Sequence, residues 1–229
     1  MTRVILVRHC EAQGNTSGVF QGSIDSDISG NGSTQLDLLG IRCRNMPIDV
    51  IYSSPLQRAH KTAEAVNRYH NLPIHTDERL KEIDGGEFEG KHWEELPELF
   101  PDELKTWYST PCDFQPKGGE SMRHVYDRMW EAITDIVKEN SGKTICITSH
   151  GCAIRNFLCR ALHKSIEEIN DVGWCDNTAI SIIDFDDNFN SNVVKMNDAS
   201  HLTSEVSIFA NQSWWKPETQ KKFAARRNK

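Results

Sequence analysis

Short runs of β-branched and aliphatic residues recur along the chain and predict buried strands. Three of these runs, at 3–7, 50–53 and 144–148, place apolar residues at nearly consecutive positions, as in strands covered on both faces. Two later segments, 178–184 and 192–197, alternate between apolar and polar positions and predict strands joined by a turn-rich hairpin. The pattern therefore predicts a sheet of at least five strands.

Segments with helical spacing of apolar residues separate these strands. The pattern predicts four helices, at 33–44, 56–70, 122–140 and 152–162. Pro55 is expected at the first position of the second helix. Strands that alternate with helices predict a three-layer α/β/α sandwich with a mainly parallel central sheet. We expect a single domain over 1–229, with a small helical cap inserted at about 91–118.

Two of the predicted strands lead directly to a histidine. The strand at 3–7 runs into Arg8 and His9, and the strand at 144–148 is followed two residues later by His150. Ligands of open α/β sheets bind at the carboxyl ends of the strands. Both histidines are therefore expected where the chemistry takes place.

Composition and charge narrow the classes of function. The chain has 229 residues and a net charge of -7, which argues against nucleic acid as a partner because nucleic-acid binders usually carry a basic face. The seven cysteines are scattered, and neither a signal peptide nor an apolar run of membrane-spanning length is recognisable. We expect a cytoplasmic protein with free thiols, no membrane partner and a partly loose basic C-terminal tail. The oligomeric state is not readable from the sequence.

The polar residues beside the two histidines suit phosphoryl transfer. A phosphate monoester is a dianion, and its transition state spreads charge over three oxygens. Arg8 and Arg58 supply guanidinium groups for those oxygens, and Arg58 lies near the start of a predicted helix, where free N–H groups add to anion binding. A neutral His9 is the candidate nucleophile and His150 a second donor. Glu82 is the candidate general acid, provided that burial or the bound dianion favours its protonated form.

Five motifs in a fixed order resemble the histidine phosphatase superfamily, which includes phosphoglycerate mutases and many phosphatases. They lie between residues 3 and 177, and they read RHCE, SSPLQRAHKTAE, LKEIDGGEFEG, KGGES and TSHG. Each motif alone is weak, but five in this order are specific.

The resemblance assigns roles to residues of this chain. It implies His9 as the phosphorylated residue, Glu82 as the proton donor, and Arg8, Arg58 and His150 as the phosphate pocket. It also implies substrate contacts at four further positions, namely Asn15, Gln21, Gly22 and Gly151. The expected ligand is a small phosphorylated metabolite, and no cofactor and no metal are expected.

Cys10 departs from the family pattern, which has glycine after the Arg-His pair. If the backbone there needs a positive φ, the side chain costs about 1 kcal/mol. If glycine only leaves room, the thiol reaches toward the pocket, and the arginines make it sensitive to oxidation. The alternative that we favour is that Cys10 is a buried bystander.

The same family contains mutases, which return the phosphoryl group to the substrate, and phosphatases, which pass it to water. The segment 90–118 is short, its charged side chains are mainly acidic, and it has no Arg-Arg pair for a second acid group. We therefore expect a phosphatase and keep a phosphoglycerate mutase as the alternative. A non-catalytic phospholigand-binding protein is a third possibility, although it would usually lose one of the four central side chains.

The remaining aromatic and histidine residues carry no motif. Trp93, Trp107 and Tyr108 lie in the predicted cap, where they either line an aromatic substrate pocket or, as we expect, pack the cap. The other seven histidines are interpreted as structural or surface residues.

Overall fold

The computed structural model describes residues 1–211, and the basic tail that was predicted to be partly loose lies outside them. Within this part of the chain, six strands form one sheet. They are β1 (Thr2–Arg8), β2 (Val50–Ser53), β3 (Ile74–Thr76), β4 (Thr144–Ser149), β5 (Ile180–Phe185) and β6 (Ser191–Asp198). The strand order is β3-β2-β4-β1-β5-β6, with parallel pairing from β3 to β1 and antiparallel pairing of β5 and β6. The prediction of a mainly parallel sheet is confirmed.

Helices cover both faces of the sheet. In chain order they are α1 (Gln13–Thr16), α2 (Gly30–Cys43), α3 (Gln57–Asn67), α4 (Leu96–Leu99), α5 (Pro101–Ser109), α6 (Met122–Glu139), α7 (Gly151–Ala161) and α8 (Ile208–Asn211). Short 3₁₀ helices lie at Glu78–Leu80, Gly86–Phe88, Pro111–Asp113 and Ile166–Asp171.

Strand β1 shows why its sequence is apolar at consecutive positions. Val4 and Leu6 belong to the core under α6 and α7, whereas Ile5 and Val7 belong to the second core under α2 and α3. Successive side chains of a strand point to opposite faces, so a central strand between two helical layers needs apolar residues at every position. The three-layer α/β/α prediction is confirmed.

Several predicted boundaries are wrong for local reasons. Strand β3 was missed because it has only three residues, and they are partly or fully exposed at the edge of the sheet. Helix α2 begins three residues earlier than expected, because the Ser29 hydroxyl caps it by accepting the N–H of Gly32 at 2.9 Å. Pro55 precedes the N-cap Leu56 and is not the first residue of α3.

The predicted cap is present as short helices. Helices α4 and α5 and the 3₁₀ turn at Pro111–Asp113 occupy it, and Trp107 and Phe114 belong to the main core. Because these side chains belong to the main core, the cap shares a hydrophobic core with the sheet. A single domain over 1–229 stays a prediction.

Membrane insertion was not expected from the sequence. No helix within residues 1–211 has the length and apolar character that a bilayer crossing requires.

Candidate active site

A cleft opens at the carboxyl ends of β1 and β4 and collects the predicted site residues. Eight of them line it, namely Arg8, His9, Asn15, Gln21, Gly22, Arg58, Glu82 and Gly151. The ninth, His150, is fully buried, with its ring centroid 5.1 Å from that of His9. The two strand ends are tied together because the backbone N–H of His9 donates to the carbonyl of Ser149 at 2.9 Å.

The surroundings of His9 fix its tautomer and its charge. Its Nδ1 lies 2.6 Å from the carbonyl oxygen of Cys10. A carbonyl only accepts hydrogen bonds, so Nδ1 carries the proton and Nε2 keeps a lone pair. Burial, followed by the charges of Arg58 and Arg8, holds the pKa of His9 well below its usual range. The imidazole is therefore neutral at physiological pH.

His150 is also neutral and has one ring nitrogen without a protein partner. Its Nε2 lies 2.7 Å from the Ser54 hydroxyl, and its buried Nδ1 has no hydrogen-bond partner in the described chain. Burial and the charge of Arg58 hold the pKa of His150 well below its usual range. When the Ser54 O–H donates to Nε2, the proton of this ring lies on Nδ1 and is free to bind a ligand.

Arg8 and Arg58 are held by backbone carbonyl groups. Arg8 Nη1 donates to the carbonyl of Cys175 at 2.5 Å, and the Arg58 Nη atoms donate to the carbonyls of Ile24 and Gly22 at 2.7 and 2.8 Å. Neither guanidinium pairs with a carboxylate within residues 1–211, and the Nε of each is buried without a partner. The positive charge of both groups is thus available to an anionic ligand.

Glu82 lies against the start of α7. Its carboxylate accepts the N–H groups of Cys152 and Ala153 at 3.0 Å each, and the N–H of Ile83 at 2.9 Å. Nearby Glu89 is occupied elsewhere, because it accepts the N–H groups of Ser23 and Gly85. Of the acidic residues in this loop, Glu82 alone lines the cleft in the described structure.

The two glycines leave room for charged neighbours. Gly151 follows His150, and a Cβ built there would lie 3.3 Å from the Arg8 Nε and 3.4 Å from its Cζ. Gly22 has a φ of +50°, and a Cβ there would collide with the Glu89 carboxylate. Side chains at these positions would displace groups that shape the cleft.

Asn15 and Gln21 use their amide oxygens within the protein. The Asn15 Oδ1 accepts the N–H of Ala12 at 2.9 Å, and the Gln21 Oε1 accepts the Ser26 hydroxyl at 2.5 Å. These contacts leave the amide N–H groups of both residues as donors beside the cleft.

Comparison with known proteins identifies the family. The model of the histidine phosphatase superfamily (branch 1) matches residues 4–199. The chain belongs to the histidine phosphatase superfamily.

Relatives of this histidine phosphatase include enzymes that are named for their substrate. The chain is 34% identical to phosphoserine phosphatase 1 of Hydrogenobacter thermophilus, over 88% of this chain and 95% of that protein. Among solved structures, Bacillus stearothermophilus YhfR superposes with a TM-score of 0.84 at 30% identity, covering 88% of this chain and 99% of that one. A mutant phosphoserine phosphatase of Entamoeba histolytica, in complex with phosphoserine, superposes with a TM-score of 0.76 at 29% identity, covering 89% and 100%. These relatives favour the phosphatase over the mutase.

Sequence reasoning missed residues that position the two catalytic candidates of β1. The side-chain amide of Asn177 donates to the backbone carbonyl of His9 at 2.7 Å. The backbone N–H of Thr178 donates to the backbone carbonyl of Arg8 at 3.1 Å. Thr178 has a φ of 56°, which turns the chain toward β1. No motif in the local sequence marks Asn177 or Thr178. Ser54, whose hydroxyl contacts His150, was also missed, although it lies within the motif SSPLQRAHKTAE.

Cys10 in this histidine phosphatase is a buried residue of the core. It does not take a positive φ, its side chain is fully buried beside Leu36 and Ala65, and its N–H donates to the Thr62 hydroxyl at 3.0 Å. Burial raises the pKa of its thiol to about 11. The structure therefore contradicts the placement of this thiol at the pocket and favours the bystander alternative, while its sensitivity to oxidation stays a hypothesis.

The aromatic residues of the cap divide between two roles. Trp93 and Trp107 line the cleft, together with Phe20 and Trp174 from other parts of the chain. Tyr108 is not among the lining residues and packs against the main core. All three residues pack with the main core, as expected, and the two tryptophans line the cleft as well.

Proposed function

We propose that this histidine phosphatase hydrolyses small phosphate monoesters by passing the phosphoryl group to Nε2 of His9 and then to water. The observation that carries the proposal is a set of three buried polar atoms that have no hydrogen-bond partner within residues 1–211. They are Nε of Arg8, Nε of Arg58 and Nδ1 of His150. Buried polar groups are rarely left unpaired, so three of them beside one neutral imidazole indicate an anionic ligand with several oxygens.

The first step forms a bond from His9 Nε2 to phosphorus and breaks the bond from phosphorus to the ester oxygen. The neutral ring attacks, the proton on Nδ1 stays hydrogen-bonded to the Cys10 carbonyl, and Glu82 gives its proton to the leaving oxygen. The guanidinium groups and His150 stabilise the charge that spreads over the three transferring oxygens.

The second step reverses the roles of the protein groups. The Glu82 carboxylate takes a proton from water, the water oxygen bonds to phosphorus, and the bond from phosphorus to Nε2 breaks. Inorganic phosphate leaves, and His9 and Glu82 return to their starting states. No metal is required, because two guanidinium groups and an imidazole N–H meet the charge of the dianion.

Rapid denaturation during turnover tests the intermediate. After brief incubation with a ³²P-labelled monoester we expect acid-labile, base-stable label on the protein, and none on His9→Ala. Hydrolysis of p-nitrophenyl phosphate should exceed conversion of 3- to 2-phosphoglycerate. Turnover that persists in His9→Ala, or full activity without any labelled protein, would refute the proposal.

We extend the proposal to the setting of the enzyme. All seven cysteines of the chain are free thiols, which fits a reducing compartment such as the cytoplasm. The net charge of -7 fits a small phosphorylated metabolite, rather than nucleic acid, as its partner.

A further inference from the structure

The residues that line the cleft form two chemically different sets. One set is charged or carries side-chain amides, and the proposed reaction uses it to hold the phosphoryl group. The other set, which we call the outer half, is apolar, and its side chains are Val19, Phe20, Ile83, Trp93, Trp107, Cys152 and Trp174. With the phosphoryl group held by the first set, the leaving group of a bound monoester meets the second.

Four rings of the outer half form a continuous surface, which we call the aromatic wall (Phe20, Trp93, Trp107 and Trp174). The ring centroid of Phe20 lies 5.2 Å from that of Trp93 and 5.7 Å from that of Trp107. The ring centroids of Trp107 and Trp174 lie 6.0 Å apart. These distances are those of rings in contact. Because Phe20 and Trp107 are buried, a ligand in the outer half meets mainly the half-buried rings of Trp93 and Trp174, which the other two rings support.

The aromatic wall is held in place by fixed neighbours. The Arg155 guanidinium lies 4.8 Å from the Trp174 ring and is itself anchored to the carbonyls of Val172 and Ile169. The backbone N–H of Trp93 donates to the carbonyl of Gly18 at 2.9 Å, which fixes the main chain from which this ring projects. Phe20 lies over Gly85, where a Cβ would collide with its ring. The wall is thus preformed, and binding does not require ordering these side chains.

The charges in the cleft argue against an ionic leaving group. Among the described residues that line the cleft, Arg8 and Arg58 are the only cations, and the proposed reaction uses both to hold the phosphoryl group. A carboxylate on the leaving group would therefore lose its water without gaining a cation. An ammonium group fares no better, because the Arg155 guanidinium already lies over the Trp174 ring and two further guanidinium groups line the cleft.

We propose that the enzyme selects monoesters whose alcohol is uncharged and carries an apolar, flat ring, which packs against the aromatic wall. This inference rests on the proposed phosphatase function and adds the class of alcohol. It also separates this chain from relatives that are named for phosphoserine, whose leaving group carries both an ammonium and a carboxylate.

Four esters of the same chemical type test the proposal. Ethyl, 2-phenylethyl and choline phosphate and O-phosphoserine all lose a primary alkoxide, so differences in kcat/KM report binding of the substituent. We expect kcat/KM for 2-phenylethyl phosphate to exceed each of the others by about tenfold, as for burial of a phenyl ring. Equal values for all four, or preference for phosphoserine or phosphocholine, would overturn it.

Two variants connect the preference to the wall. Trp174→Ala should bring the ratio of 2-phenylethyl to ethyl phosphate close to one, whereas Trp174→Phe should retain most of it. Gly85→Ala displaces the Phe20 ring and should also lower the ratio. An unchanged ratio in both Trp174→Ala and Gly85→Ala would refute the role of the wall.

The labelling experiment separates the two proposals. If labelled phosphohistidine forms from p-nitrophenyl phosphate while 2-phenylethyl phosphate shows no advantage, only the inferred alcohol class fails. If no phosphohistidine forms and no ester is hydrolysed, the phosphatase function and the inference fail together.

Discussion

His9 and His150 are buried side by side, next to two guanidinium groups that carry no carboxylate partner within residues 1–211. Both rings are buried beside these two positive charges, so protonation of either imidazole would place a third cation next to them. At the scale of single residues, this is why a nucleophilic lone pair is available at physiological pH.

The first prediction concerns the charge of these two rings. Burial and the arginine charges lower the pKa of both rings, so the titration midpoint of each should lie well below the value near 6.5 of an ordinary histidine. Nitrogen-15 NMR of the free enzyme measures this directly, with His9→Asn and His150→Asn assigning the signals. A midpoint near 6.5 for His9 would contradict the electrostatic account.

The second prediction concerns Glu82 as the proton donor. Glu82→Gln should lower kcat for alkyl phosphates by about 10²- to 10⁴-fold, because an alkoxide leaves poorly without a proton. p-Nitrophenyl phosphate should lose far less activity, because its phenolate leaves without help. A purely structural effect, such as the loss of a contact with the N–H of Cys152 or Ala153, would lower both activities equally.

At the scale of elements, the start of α7 and the end of β1 share one small space. Gly151 opens α7, and the Arg8 guanidinium lies directly against it. Alanine normally stabilises a helix relative to glycine by about 0.5–1 kcal/mol. Substitution of Gly151 by alanine is therefore expected to favour the helix and to disturb the site.

The third prediction uses this opposition. Gly151→Ala should raise KM for phosphate monoesters about tenfold, because the new Cβ, 3.3 Å from the Arg8 Nε, must shift the guanidinium. The free energy of unfolding in urea should be unchanged or higher. As a matched control, Ala153→Gly in the same helix should lower the free energy of unfolding. A loss of both stability and activity in Gly151→Ala would show instead that the helix itself cannot accept the side chain.

These elements also explain what the sequence could and could not predict. Strands β1 and β4 were recognisable because central strands are apolar at every position, and each points a histidine at the site. Asn177 and Cys175 were not recognisable, because they contact His9 and Arg8 from more than 160 residues away in the chain. Asn177 uses its side-chain amide and Cys175 its backbone carbonyl, so neither contact follows from a motif. The cap packing of Trp93 and Trp107 was predicted, but the aromatic wall was not, because Trp174 and Phe20 join it from distant segments.

At the scale of the whole molecule, burying two neutral histidines makes folding depend on pH. The unfolded chain binds a proton at each imidazole below about pH 6.5, whereas the folded protein does not until a much lower pH. Where the unfolded state binds more protons, the free energy of unfolding rises with pH and therefore falls as pH decreases. The stability that these groups provide is complete above pH 6.5 and is lost progressively below it.

The fourth prediction is the size and origin of this loss. Below about pH 6.5 the free energy of unfolding should fall by up to about 1.4 kcal/mol per pH unit for each of the two buried rings. Urea unfolding at a series of pH values measures the slope. His9→Asn and His150→Asn should each lower this slope by the contribution of about one proton, because asparagine does not titrate. Half-buried His201, whose pKa burial also lowers, adds to the slope in the same direction and remains in both variants. If the slope were the same in the wild type and both variants, acid sensitivity would come from elsewhere in the fold, and the two rings would not be the neutral, uncompensated pair on which the phosphoryl transfer depends.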